Sequence, residues 1–153
     1  MSGTCESYFA APEWIDGISV APDGTLVGQS QATTFGAKQI YRFSAIGAVI
    51  SKVSLGGVGS LGGLSYAPIG RIYGAGIAGI NDVRWFELNP TSGVATSIAA
   101  GNQLALSEVC VDGSGVAYGH SFGVLFRYTA ATGALLGALT MQRDLGLGAI
   151  VCR

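Results

Sequence analysis

The sequence is short of charge. Only 11% of its 153 residues are charged, eight basic against nine acidic, for a formal net charge of −1. The basic residues are scattered, so no electrostatic case exists for nucleic acid or an anionic membrane as partner. Histidine is all but missing: His120 stands alone, and no Ser-His-Asp or Cys-His set can be assembled around it by spacing. The carboxylates form no Asp-x-Asp-x-Asp run of the kind a calcium loop needs, and the three cysteines have no zinc-site spacing. No catalytic, cofactor-binding or metal-ligating residue is therefore expected. No apolar run is long enough for a membrane-spanning helix, and no amphipathic helix of useful length is present. The only sequon-like triplet, Asn89-Pro90-Thr91, has proline at its centre. Met1-Ser2-Gly3-Thr4-Cys5-Glu6 has neither the basic nor the apolar region of a secretory leader. The expectation is a chain made in the cytosol, or a piece of something larger, with its odd number of cysteines reduced.

What the sequence has in quantity is apolar residues, at 49%, and glycine, with 25. That balance fits many short strands joined by tight turns and does not fit disorder. The stretch from Leu104 to Thr140 reads as one unit of four strands. Leu104–Val111 alternates apolar and polar residues, Asp112-Gly113-Ser114-Gly115 is a turn, and Val116–His120 is a second strand. Ser121-Phe122-Gly123 turns again, Val124–Tyr128 is a third strand, and Ala134–Thr140 is a fourth after a turn at 129–133. Two further copies lie upstream. Ile18, Leu64 and Val109 are equivalent, as are Gly28, Gly74 and Gly119. The third strands align as Ile40-Tyr41-Arg42-Phe43, Trp85-Phe86-Glu87-Leu88 and Leu125-Phe126-Arg127-Tyr128, each followed by a turn that ends in glycine (Gly47, Gly93, Gly133).

Four strands repeating at a period of about 40–50 residues mark the blade of a β-propeller. The copies resemble the degenerate blades of bacterial propellers in Pro22-Asp23-Gly24, Tyr73-Gly74, Tyr118-Gly119, Arg42, Arg127 and Thr132-Gly133. The Trp-Asp dipeptide and the kelch signature of paired glycines and aromatics are absent. The resemblance covers roughly residues 16–153 and implies an all-β, propeller-like fold of three four-stranded antiparallel repeats plus one strand of a fourth. The expected single domain, 1–153, divides into an N-terminal arm (1–15), repeat 1 (16–60), repeat 2 (61–101), repeat 3 (102–140) and a closing strand (141–153).

A closed propeller takes about four to eight blades. Three blades and a spare strand leave two faces open, which invites association. The expected function is a non-catalytic structural or interaction subunit that self-associates or docks into a larger assembly, such as a virus or phage particle, as a decoration or tail-appendage component. Its expected partners are a second copy, as homo-oligomer, or other assembly proteins, without membrane insertion. A small closed four-bladed fold, in which the N-terminal strand pairs with the C-terminal one, is the bland alternative. A lectin-like propeller that binds carbohydrate, and a lactonase or lyase working in a propeller channel, are the functional alternatives. Equivalent loop positions hold Gln29, Ala75 and His120, which are unlike and speak against repeated ligand pockets. Gly57-Val58-Gly59-Ser60-Leu61-Gly62 matches a dinucleotide motif only formally and reads as an inter-blade loop. Asp23 and Asp112 read as turn caps, and the third-strand aromatics read as filling between blades. The candidate partner contacts are Trp14, which lies outside the repeats, and Cys5 and Cys152, which pair if the chain ends meet. Cys110 falls at the position of Ser19 and Ser65, and Cys152 at that of Val20, Tyr66 and Val111, on opposite strand faces of neighbouring units.

Overall fold

The computed structural model describes residues 9–30, 38–67, 70–79, 82–100, 108–121, 123–140 and 152. Every regular element among them is a strand. Blade 1 comprises β1 (Ile15–Val20), β2 (Leu26–Ser30), β3 (Gln39–Phe43) and β4 (Val49–Ser54). Blade 2 comprises β5 (Ser60–Tyr66), β6 (Ile72–Gly79), β7 (Asp82–Leu88) and β8 (Ala95–Ala100). Blade 3 comprises β9 (Glu108–Val111), β10 (Val116–Ser121), β11 (Val124–Thr129) and β12 (Leu135–Thr140). Each blade is an antiparallel meander with its strands in chain order. The part of the expected strand from Leu104 to Ser107 lies outside the described residues.

The repeat is written into the turns. Gly24, Gly70 and Gly115 close the first turn of each blade at φ of 79°, 80° and 81°, where a side chain would be strained. Asp23 Oδ1 accepts hydrogen bonds from the Thr25 amide and hydroxyl, and Asp112 Oδ1 accepts them from the Ser114 amide and hydroxyl and from the Val116 amide. Both aspartates thus cap their own turns, and those donors hold both carboxyls below the usual range.

A four-stranded sheet has two faces, and the blades bury theirs against each other. Between blades 1 and 2, Val27 and Ile40 meet Leu61, Leu64, Ile72, Phe86, Leu88 and Ala95. Between blades 2 and 3, Ala67, Tyr73, Ala75 and Trp85 meet Val109, Val111, Ala117, Tyr128 and Ala130. The period-2 alternation of β7 explains both seams at once. Trp85 turns towards blade 3, while Phe86 and Leu88 pack in the seam with blade 1. Trp85 lies between two rings, Tyr73 with centroids 6.0 Å away and Tyr128 at 6.4 Å, and its Nε1–H donates to the Ala130 carbonyl at 2.6 Å. The third-strand aromatics of blades 2 and 3 fill the space between blades, as their position in the repeat suggests, whereas Tyr41 and Phe43 of blade 1 stack on each other outside both seams.

Two outcomes follow from this seam. Trp85→Ala should lower unfolding free energy by about 3–5 kcal/mol in denaturant titration, whereas Trp14→Ala, at a site 77% exposed, should change it by no more than about 0.5 kcal/mol. Burial pushes the Tyr128 phenol up from 10.0 to about 12. The fold therefore prefers the neutral phenol, and this contribution is intact below pH 10 and is lost as pH rises through about 12. The melting temperature should fall across that window, and Tyr128→Phe should flatten the fall.

Candidate functional site at the inner strands

The first strands of the blades, β1, β5 and β9, lie side by side and are joined by one repeated bridge. The Tyr66 amide donates to Ser19 Oγ at 2.8 Å, and the Val111 amide donates to Ser65 Oγ at 2.9 Å. In each case the hydroxyl on one inner strand accepts from the backbone of the next. At the third position the serine is replaced. Cys110 is joined to Cys152 by a disulfide, with Cα atoms 5.6 Å apart and a sequence separation of 42. This corrects the expectation of reduced thiols and of a Cys5–Cys152 pair; Cys5 lies outside the described residues. The physical reason lies in the faces. Ser19 and Ser65 point at the following blade and Tyr66 and Val111 are their targets, so the "opposite faces" of neighbouring units are the two that meet.

A second link strengthens the first seam: the Gln29 side-chain amide donates to the Leu61 carbonyl at 3.0 Å and accepts from the Leu61 amide at 3.1 Å. A buried side chain is thereby paired at both ends with a strand backbone. His120, at the equivalent place in blade 3, is buried and in register with Glu108 on β9 and Leu125 on β11.

The inner strands border a cavity of about 270 Å³, with Ser19, Ser65, Cys110 and Cys152 in its wall among Ile18, Val20, Leu64, Tyr66, Val109 and Val111. A neighbouring hollow of about 250 Å³ reaches from Val20 and Tyr66 to Gly113 and again to Cys152. The wall mixes apolar side chains with the Ser19 and Ser65 hydroxyls, both already accepting hydrogen bonds, the Tyr66 side chain and the cystine. Among the described residues, no three His, Cys, Asp or Glu side chains come together as a metal site. Among the same residues, no helix is long and apolar enough to cross a membrane.

The outer part of the first blade has a different cover. Phe9 packs tilted against Phe43 with centroids 5.4 Å apart, and it fills the space where a β-carbon on Gly47 would sit. The Ser54 carbonyl of blade 1 takes the corresponding place over Gly93, and Ala99 of blade 2 over Gly133. The arm thus stands in for a preceding blade. Glu13 holds it down through Lys52 Nζ at 2.6 Å, and Lys52 in turn lies over the Tyr41 ring at 5.1 Å. The Lys52 hydrogen bond is the main cause that draws the Glu13 carboxyl below its ordinary range. Trp14 follows directly, with its ring exposed. Elsewhere Glu87 pairs with Arg71 at 2.9 Å, an exposed ion pair worth under about 1 kcal/mol. The glycine-rich run at 57–62 joins β4 to β5, and its Gly57, at φ 83°, lies against the Ala95 carbonyl. Only 57–59 form the inter-blade loop that the run's position implied; Ser60, Leu61 and Gly62 begin β5.

Stacked four-stranded meanders whose first strands border a common space define a partial β-propeller, and solved structures agree. The chain is similar to virginiamycin B lyase from Staphylococcus aureus (TM-score 0.60, 12% identity, 91% of this chain and 45% of that one). It is similar to a gluconolactonase from Xanthomonas campestris (TM-score 0.57, 14% identity, 84% and 47%) and to BamB from Moraxella catarrhalis (TM-score 0.54, 15% identity, 86% and 38%). It spans less than half the length of each of them. No family model and no curated protein matches the sequence. At these identities the likeness concerns the fold alone.

Ser65→Ala leaves the Val111 amide buried without its acceptor and should cost about 1–3 kcal/mol in equilibrium unfolding. Ser65→Thr, which keeps the hydroxyl, should recover most of that loss.

Proposed function

We propose that this chain is a non-catalytic structural or interaction subunit that covers its open blade faces by association, first with a second copy of itself, within a larger assembly such as a virus or phage particle. One observation carries the association. Ile18 and Val20 on β1 are 53% and 61% exposed, whereas their equivalents Leu64, Val109 and Val111 are buried to 6%, 5% and 5% by a preceding blade. The same positions that make each internal seam are bare at the first blade. A row of apolar side chains left in water at a repeat boundary is the signature of a missing neighbour. Blade 3 presents Leu139 in register with Leu125 on its outermost strand, also exposed. A head-to-tail pair closes a ring when the rotation returns after two copies, and two sets of three blades fall within the four to eight that propellers use. The particle setting rests on composition and strand-rich character alone.

Light scattering behind a sizing column should give twice the 15.5 kDa chain mass. Val20→Glu, a charge on the bare strip, should return the species to 15.5 kDa while leaving the melting temperature of the blades nearly unchanged. A wild-type monomer at high concentration overturns the reading. A ligand-binding propeller is the second reading, favoured by the cavity over the inner strands. Saturable binding on a glycan array, abolished by Ser65→Val, would establish it in place of the first.

A further inference from the structure

The bridges between inner strands form a series, and its third member differs in kind. Ser19 and Ser65 reach the next strand by a hydrogen bond, which forms and breaks without chemistry. Cys110 reaches Cys152 by a covalent bond that opens only by electron transfer. The two earlier seams are also held by broad apolar packing and by the Gln29 and Trp85 links. The sulfur pair therefore carries, at its seam, the role that a hydroxyl and an amide share at the others.

We propose that Cys110–Cys152 is a redox latch that fastens the C-terminal end of the chain to the inner strand of blade 3, with dithiols as its co-reactant. The two sulfurs are not equivalent. Cys110 is buried in β9, whereas Cys152 is half-buried and borders both hollows at the inner strands. A dithiol thiolate attacks the Cys152 sulfur, the Sγ–Sγ bond breaks, and Cys110 leaves as thiolate and takes up a proton. The second thiol of the reagent then closes on the first sulfur and releases Cys152 as a thiol. Two electrons pass from dithiol to cystine, which ends as two thiols, and the reagent ends as a disulfide. A serine at position 110 would restore the hydrogen-bonded form of the bridge, as at Ser19 and Ser65. The latch stands on this geometry whether or not the chain pairs with itself.

The test uses the full chain, purified without reductant. Peptide mapping should recover the Cys110 and Cys152 peptides cross-linked to each other. Carboxypeptidase trimming past residue 152 should accelerate about tenfold on adding dithiothreitol, because the covalent link to β9 is then gone. Cys110→Ser should be trimmed at a rate that ignores the reductant and is slower than that of Cys110→Ala. Cys152→Ala, altered only at the chain end, gives the unlatched reference rate. Free thiols at both positions in the map, or equal trimming of the wild-type chain with and without dithiothreitol, overturns the proposal.

Discussion

A four-stranded sheet cannot be stable with both apolar faces in water, and everything in this molecule follows from how each face is covered. A blade carries its side chains alternately towards the blade before and the blade after. Blade 2 meets that requirement fully, with Leu64, Ile72, Phe86 and Leu88 turned one way and Tyr73, Ala75 and Trp85 the other. Among the described residues, blades 1 and 3 pack against another blade on one side only. The Phe9 arm, the cystine to Cys152 and the bare strip at Ile18 and Val20 are three answers to the same lack.

The answers differ in strength. Phe9 covers Phe43 and Gly47 towards the outside of blade 1, with an exposed Glu13–Lys52 ion pair that adds little of its own. On the inner strand nothing among the described residues replaces the preceding blade. At the far end a covalent bond joins Cys152 to the inner strand of blade 3. The inner strands accordingly combine a covalent attachment at one end with exposed apolar side chains at the other, which is why the functional reading centres there and not on a catalytic cluster.

Much of this was legible beforehand, and the reason is periodicity. The glycines at 24, 70 and 115 and at 47, 93 and 133 need positive φ, so they mark turns wherever they recur. The alternation in β7 and β11 identified the aromatics as filling between blades. The alignment had Cys110 at the serine position and Cys152 opposite Tyr66 and Val111, yet the contact between them was missed. Seeing it requires knowing that the following face of one blade meets the preceding face of the next, which is a fact of packing and not of any local window. The role of Phe9 was hidden for the same reason. Only the fold shows that Phe9 takes the place of Ser54 and Ala99 in the other seams. Gln29 was equally opaque, because an amide that looks like a ligand group in sequence is spent on the Leu61 backbone.

The seam chemistry has one further consequence, for how such a chain grows. Blades 1 and 2 each offer a serine acceptor on the following side, and blades 2 and 3 each offer a backbone donor on the preceding side, with matching apolar positions around them. A duplicated repeat would arrive with both edges already complementary to its neighbours. Blade number is therefore free to change in whole steps without any compensating substitution inside the blades. Phe9, Cys152 and its partner Cys110 are specific to their places and would have to be carried along intact.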